Sequence, residues 1–222
     1  MASGSPQTLK LPMILLAVAN LVFLGWLLWP WSEAMNLPVG GTTALDPAIS
    51  LVAYMGLVYW ISSGIKEPTA KALSAGAMIG LIAGLTLMVR EVLGVRTDPG
   101  PAYIQPGLLG VAVILWGVAG LRGSRVAGNA GLGALSGLWS AMVSGLMACA
   151  AVLAELYLAG ASPNSPDPWK QYQGLAIGNS ITQGLVHSLD TATGFLLLGP
   201  LAGAAAGLLF AFFGQNQKSQ GH

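Results

Sequence analysis

The sequence predicts an all-α integral membrane protein of six transmembrane helices, and three observations predict it. The first is where the charges sit: nine Lys/Arg and eight Asp/Glu in 222 residues, nearly all of them punctuating six apolar stretches. Most stretches are about 17 to 25 residues long, enough to cross a hydrocarbon core of about 30 Å at about 1.5 Å of rise per residue. The second is the side on which the basic residues fall. With six spans and both termini cytoplasmic, Lys10, Lys66, Lys71, Arg122, Arg125 and Lys218 lie inside, and only Arg90, Arg96 and Lys170 lie outside. That is the bias of positive-inside topology, and five or seven spans would scramble it. The third is the aromatic residues, which gather at span ends. Trp and Tyr favour the headgroup boundary, where an apolar ring stays in lipid while its N–H or O–H reaches water.

The first span, 11–29, follows Lys10, and Trp26, Trp29 and Trp31 cluster at its outer end. Its length and the lack of an Ala-x-Ala site after the apolar run, where Ala17-Val18-Ala19 lies too early, favour a retained helix over a cleaved signal. The second, 48–65, carries Tyr59 and Trp60 near its inner end. The third, 72–89, closes on Arg90 and Glu91. The fourth, 103–121, and fifth, 126–159, are joined by Arg122-Gly-Ser-Arg125. Short inner loops at 66–71 and 122–125 predict antiparallel hairpins of helices two with three and four with five. The outer loop 160–192 is the only sizeable extramembrane segment. Within it, 171–190 is amphipathic in a helical frame, which predicts a short outer helix lying on the membrane or re-entering the bundle. The last span, 193–213, contains Pro200, which predicts a kink. No loop is long enough to bury a core, so 1–222 reads as one polytopic membrane domain.

A short motif recurs. Gly76-Ala-Met-Ile-Gly80-Leu81 reappears as Gly133-Ala-Leu-Ser-Gly137-Leu138 and as Gly203-Ala-Ala-Ala-Gly207-Leu208. Glycines four apart bare one helix face, so a neighbouring backbone approaches closely. Gly76, Gly80, Gly133, Gly137, Gly203 and Gly207 are therefore candidate packing positions. The fifth helix also carries Ser136, Ser140 and Ser144 at a spacing of four, with Glu155 eleven residues on and nearly the same face. Two chemistries fit that stripe: a narrow polar path with Glu155 at its mouth, or a packed seam whose serines bond their own i−4 carbonyls. The seam is favoured, because no charge lies deep in another span to partner a path. Arg90 and Glu91 are adjacent on a helix and are not expected to pair; an Arg90–Glu155 ion pair would instead pin helix three to helix five.

Composition excludes several functions. A hydrophobic fraction of 54% excludes an ordinary soluble domain. A net charge of +1 gives no basic footprint for nucleic acid. The single cysteine, Cys149, permits no intramolecular disulfide. Carboxylates, histidines and cysteines do not gather at one depth, so neither catalysis nor a metal or other cofactor is expected. Two readings remain: a non-catalytic structural or accessory subunit of a cell-membrane assembly, or a channel for a small neutral solute lined by helix five. The expected partners are lipid, other membrane subunits or further copies of the chain.

Overall fold

A computed structural model describes residues 6–29, 41–63, 65–96, 103–160 and 180–219. All its regular structure is helical: α1 (Pro6–Leu28), α2 (Gly41–Ser62), α3 (Glu67–Arg96), α4 (Ile104–Ala127), α5 (Ala130–Gly160) and α6 (Ser180–Ser219). Each of the six contains a segment long and apolar enough to cross a membrane, from Lys10–Leu28 in α1 to Ser188–Gly214 in α6. The protein is a multi-pass helical membrane protein.

α5 is the centre of the bundle. Of its apolar segment 78% is buried, against 28% to 44% in the other five. Its residues explain this: Gly, Ala and Ser dominate 130–151, and small side chains let several backbones approach one axis. α3, α4 and α6 pack against α5 and α4 also packs against α3 and α6, while α1 and α2 pack on each other, α1 reaching α5 and α2 reaching α6. The side chains turned away from the bundle are large and apolar, among them Val22, Val52, Leu85, Ile114 and Leu201, as a hydrocarbon solvent requires.

Several boundaries differ from the sequence reading. The loop expected at 122–125 is helical. α4 continues to Ala127 and is stopped by Gly128, whose φ of 70° is left-handed and whose N–H bonds the Ser124 carbonyl at 2.7 Å. Only glycine takes that conformation cheaply. Asn129 then accepts a hydrogen bond from the Gly131 N–H at 2.7 Å, so α5 starts at Ala130 and not at 126. α3 begins five residues earlier than expected, at Glu67. Pro68 is tolerated in a first turn, and Glu67 pairs with Lys71 at 2.8 Å across i,i+4.

α6 begins at Ser180, so 180–190 runs straight into the last span instead of forming a separate surface helix; residues 171–179 lie outside the described set. The expected hairpin of helices two and three is also corrected. α2 packs on α1 and α6, whereas the glycine face of α3 is taken up by α5.

Candidate functional site

The serine stripe and the three glycine motifs meet on α5. Ser136, Ser140 and Ser144 are each 0% exposed. The Ser136 hydroxyl lies 2.9 Å from the Ala72 carbonyl of α3 and 2.9 Å from the Ala119 carbonyl of α4. A hydroxyl carries one hydrogen, so this proton is shared between two helices neighbouring its own. Ser144 donates to the Ala141 carbonyl at 3.1 Å and accepts the indole N–H of Trp116, on α4, at 3.0 Å. The Ser140 hydroxyl has no hydrogen-bond partner among the described residues. The i−4 bonding expected of these serines is therefore corrected: Ser136 bonds across helices, and Ser144 bonds i−3 and a tryptophan.

Space on this face is closed by α3. A Cβ on Gly76 would stand 2.5 Å from the Ser136 carbonyl oxygen, and one on Gly80 would stand 2.7 Å from that of Ser140. Farther along, a Cβ on Gly84 would meet the Met147 sulfur at 2.4 Å. On the adjoining face α5 meets α6 in the same manner. A Cβ on Gly137 would lie 2.3 Å from the Gly203 carbonyl oxygen, and one on Gly207 would lie 2.8 Å from that of Gly133. α4 joins them, since a Cβ on Gly120 would stand 2.2 Å from the Gly207 Cα. Each of these contacts exists only because the position has no side chain.

Glu155 does not continue the closed face. It is half-buried at the far end of the α5 apolar segment, where Arg90 and Glu91 of α3 also sit. Here a second expectation is corrected: the Arg90 guanidinium pairs with Glu91 and not with Glu155. The two side chains are 21% and 14% exposed, and a long flexible Arg can fold back to its neighbour. The guanidinium also lies over the Phe195 ring of α6, 5.6 Å from its centroid, a cation–π contact that ties α3 to α6.

Aromatic contacts fix both ends of α1. The Lys10 ammonium lies 4.5 Å from the centroid of the Tyr59 ring on α2. At the other end Trp26 packs on Phe23 at 5.9 Å and on Tyr157 of α5 at 5.1 Å. Two residues that sequence reasoning passed over also prove to be buried: Asn20 and Tyr54, 2% and 4% exposed. Each was detectable as a polar group in the middle of an apolar run. His187, which the spacing of 171–190 sets on one polar face with Asp190, has its side chain outside the described set. No protein-family model, curated protein or solved structure matches the chain.

Proposed function

We propose that this chain is a non-catalytic subunit of a membrane assembly, with both termini cytoplasmic and the cell membrane as its location. The observation that carries the reading is how the bundle disposes of its polar groups. The serine face of α5 is turned inward and closed by the α3 backbone, with Ser136 and Ser144 hydrogen-bonded to protein. A solute path along that face would need water at Ser140, and Gly76 and Gly80 leave no width for it. Glycine-mediated contact around α5 then makes a rigid core.

What the bundle offers to a neighbour is its lateral surface. Gly25, Gly56, Gly107 and Gly110 have no atom within 4 Å of where a Cβ would stand. These bare spots beside large exposed aliphatic residues on α1, α2 and α4 suit the backbone of another transmembrane helix. The membrane orientation rests on the basic residues: Lys66, Arg122 and Arg125 stand at one end of the helices, Arg90 at the other.

Purification in mild detergent, followed by mass spectrometry of the intact particle, tests the proposal. Retention of a second membrane protein in fixed ratio supports it. An isolated bundle that passes a neutral solute in liposomes, with flux abolished by Ser140→Leu, would overturn it in favour of a channel lined by α5.

A further inference from the structure

Among the described residues, two buried side-chain oxygens are left without a hydrogen-bond partner where α1 and α2 meet the core. The Tyr54 hydroxyl, on α2, makes no hydrogen bond to the described residues, though Tyr54 is 4% exposed. Asn20, on α1, donates its amide hydrogens to the Leu16 carbonyl at 3.0 Å and the Leu146 carbonyl of α5 at 3.1 Å, while its Oδ1 accepts nothing. Both groups arrive at consecutive residues of α5, Asn20 at Leu146 and Tyr54 at Gly145. A Cβ on Gly145 would stand 3.0 Å from the Phe195 carbonyl oxygen of α6 and 3.3 Å from the Tyr54 hydroxyl. Two oxygens that do not bond each other thus flank a spot that glycine leaves bare.

Leaving such groups dry is costly. An unsatisfied buried hydroxyl or amide oxygen loses its bond to water and gains nothing in return, and the hydrocarbon core supplies no replacement. A guest that resolves this must be neutral, because Gly145, Leu146 and the next same-face residue, Cys149, carry no charge to balance an ion. It must also donate at least two hydrogens, since Oδ1 and the carbonyl only accept. Water is the smallest molecule that meets both conditions, and polar partners of this number are what internal waters hold on to.

We propose that ordered water occupies the junction of α1, α2, α5 and α6, bonded to the Tyr54 hydroxyl and the Phe195 carbonyl and donating to Asn20 Oδ1. This wet station is on the α1–α2 side of α5, near the middle of three spans. This holds for a subunit and for a channel alike, so it stands or falls separately from the assembly role.

Two measurements test it. Radiolytic footprinting of the wild-type protein in liposomes, in water enriched in heavy oxygen, is expected to place that oxygen on Tyr54 despite its burial. Absence of label at Tyr54 would overturn the site. Thermal unfolding of Tyr54→Phe gives a sign. Removing a hydroxyl that binds water lowers the unfolding midpoint, whereas removing an unsatisfied one leaves it unchanged or raises it. An unchanged or raised midpoint sinks the proposal, and the footprint is read on the wild type even if the variant fails to fold.

Discussion

Adding one methyl group to α5 should separate close packing from mere glycine richness. In Gly137→Ala the new Cβ would stand 2.3 Å from the Gly203 carbonyl oxygen and 2.8 Å from the Gly207 Cα. Ordinary contact begins near 3.4 Å, so the first of these must lengthen by about 1 Å (3.4 minus 2.3). Both obstacles are backbone, and no rotamer change relieves them; α5 and α6 must move apart. Overpacking of this kind costs about 1–3 kcal/mol. Gly56→Ala adds the same methyl to α2 where nothing lies within 4 Å. There the alanine should gain up to about 1 kcal/mol of helix propensity. For a chain of this size 1 kcal/mol corresponds to roughly 2–4 °C in midpoint. Thermal unfolding in one detergent, followed by intrinsic tryptophan fluorescence, should therefore show Gly137→Ala lower by several degrees and Gly56→Ala level or higher. Equal midpoints, or the reverse order, would refute the reasoning.

The remaining predictions concern topology and the serine face. In a Cys149→Ala background, Lys66→Cys should react with a membrane-impermeant thiol reagent only from the cytoplasm, and Tyr103→Cys only from outside; reaction of both from one side removes the orientation. In the same background Ser140→Cys should stay unlabelled by a small hydrophilic reagent, because α3 covers it, and rapid labelling would restore the polar path. Ser136→Ala should lower stability by about 0.5–1.5 kcal/mol through loss of its bridge to the α3 and α4 carbonyls. A variant as stable as wild type would show that this bridge contributes nothing.

The six spans were legible because apolar length and flanking charge are local properties of the chain. Boundaries were less so. Arg122-Gly-Ser-Arg125 looks like a loop by charge, yet Gly123 packs against Ser136 of α5 inside a continuous helix, and the turn waits for Gly128 and Asn129. α3 likewise runs through Lys71 back to Glu67 because that pair supports its first turn. Pairing failed for a different reason. A short connection fixes that α2 and α3 run antiparallel, but which helix each then buries depends on whose face fits, and the α3 glycines fit α5. The serine spacing was visible. The carbonyls that Ser136 meets were not, since they come from residues 64 and 17 positions away. Arg90 and Glu91 were misjudged by treating helix direction as decisive for side chains long enough to bend back.

The three copies of the glycine motif do not do the same work, and α5 shows why. Its Gly137 opposes Gly203 and Gly207 of α6, while Gly133 turns its bare face to Ala211 of α6 and Gly120 of α4 and its carbonyl to Gly207. Its Ser136 and Ser140 oppose Gly76 and Gly80 of α3. Serine and glycine positions differ by one residue, about 100° around the axis, so one helix offers two adjoining ridges to two neighbours. On the glycine ridge the gain is dispersion and Cα–H···O contact between backbones. On the serine ridge the hydroxyl adds a true hydrogen bond at Ser136 while the partner glycine still supplies the space. Both ridges nevertheless need glycine: a Cβ on Gly76 would stand 2.5 Å from the Ser136 carbonyl oxygen, much as one on Gly137 would stand 2.3 Å from that of Gly203. Gly76→Ala should therefore lower the unfolding midpoint as Gly137→Ala does, by parting α3 from α5 where the other parts α6 from α5. An unchanged midpoint for Gly76→Ala would remove the close contact of α3 with α5.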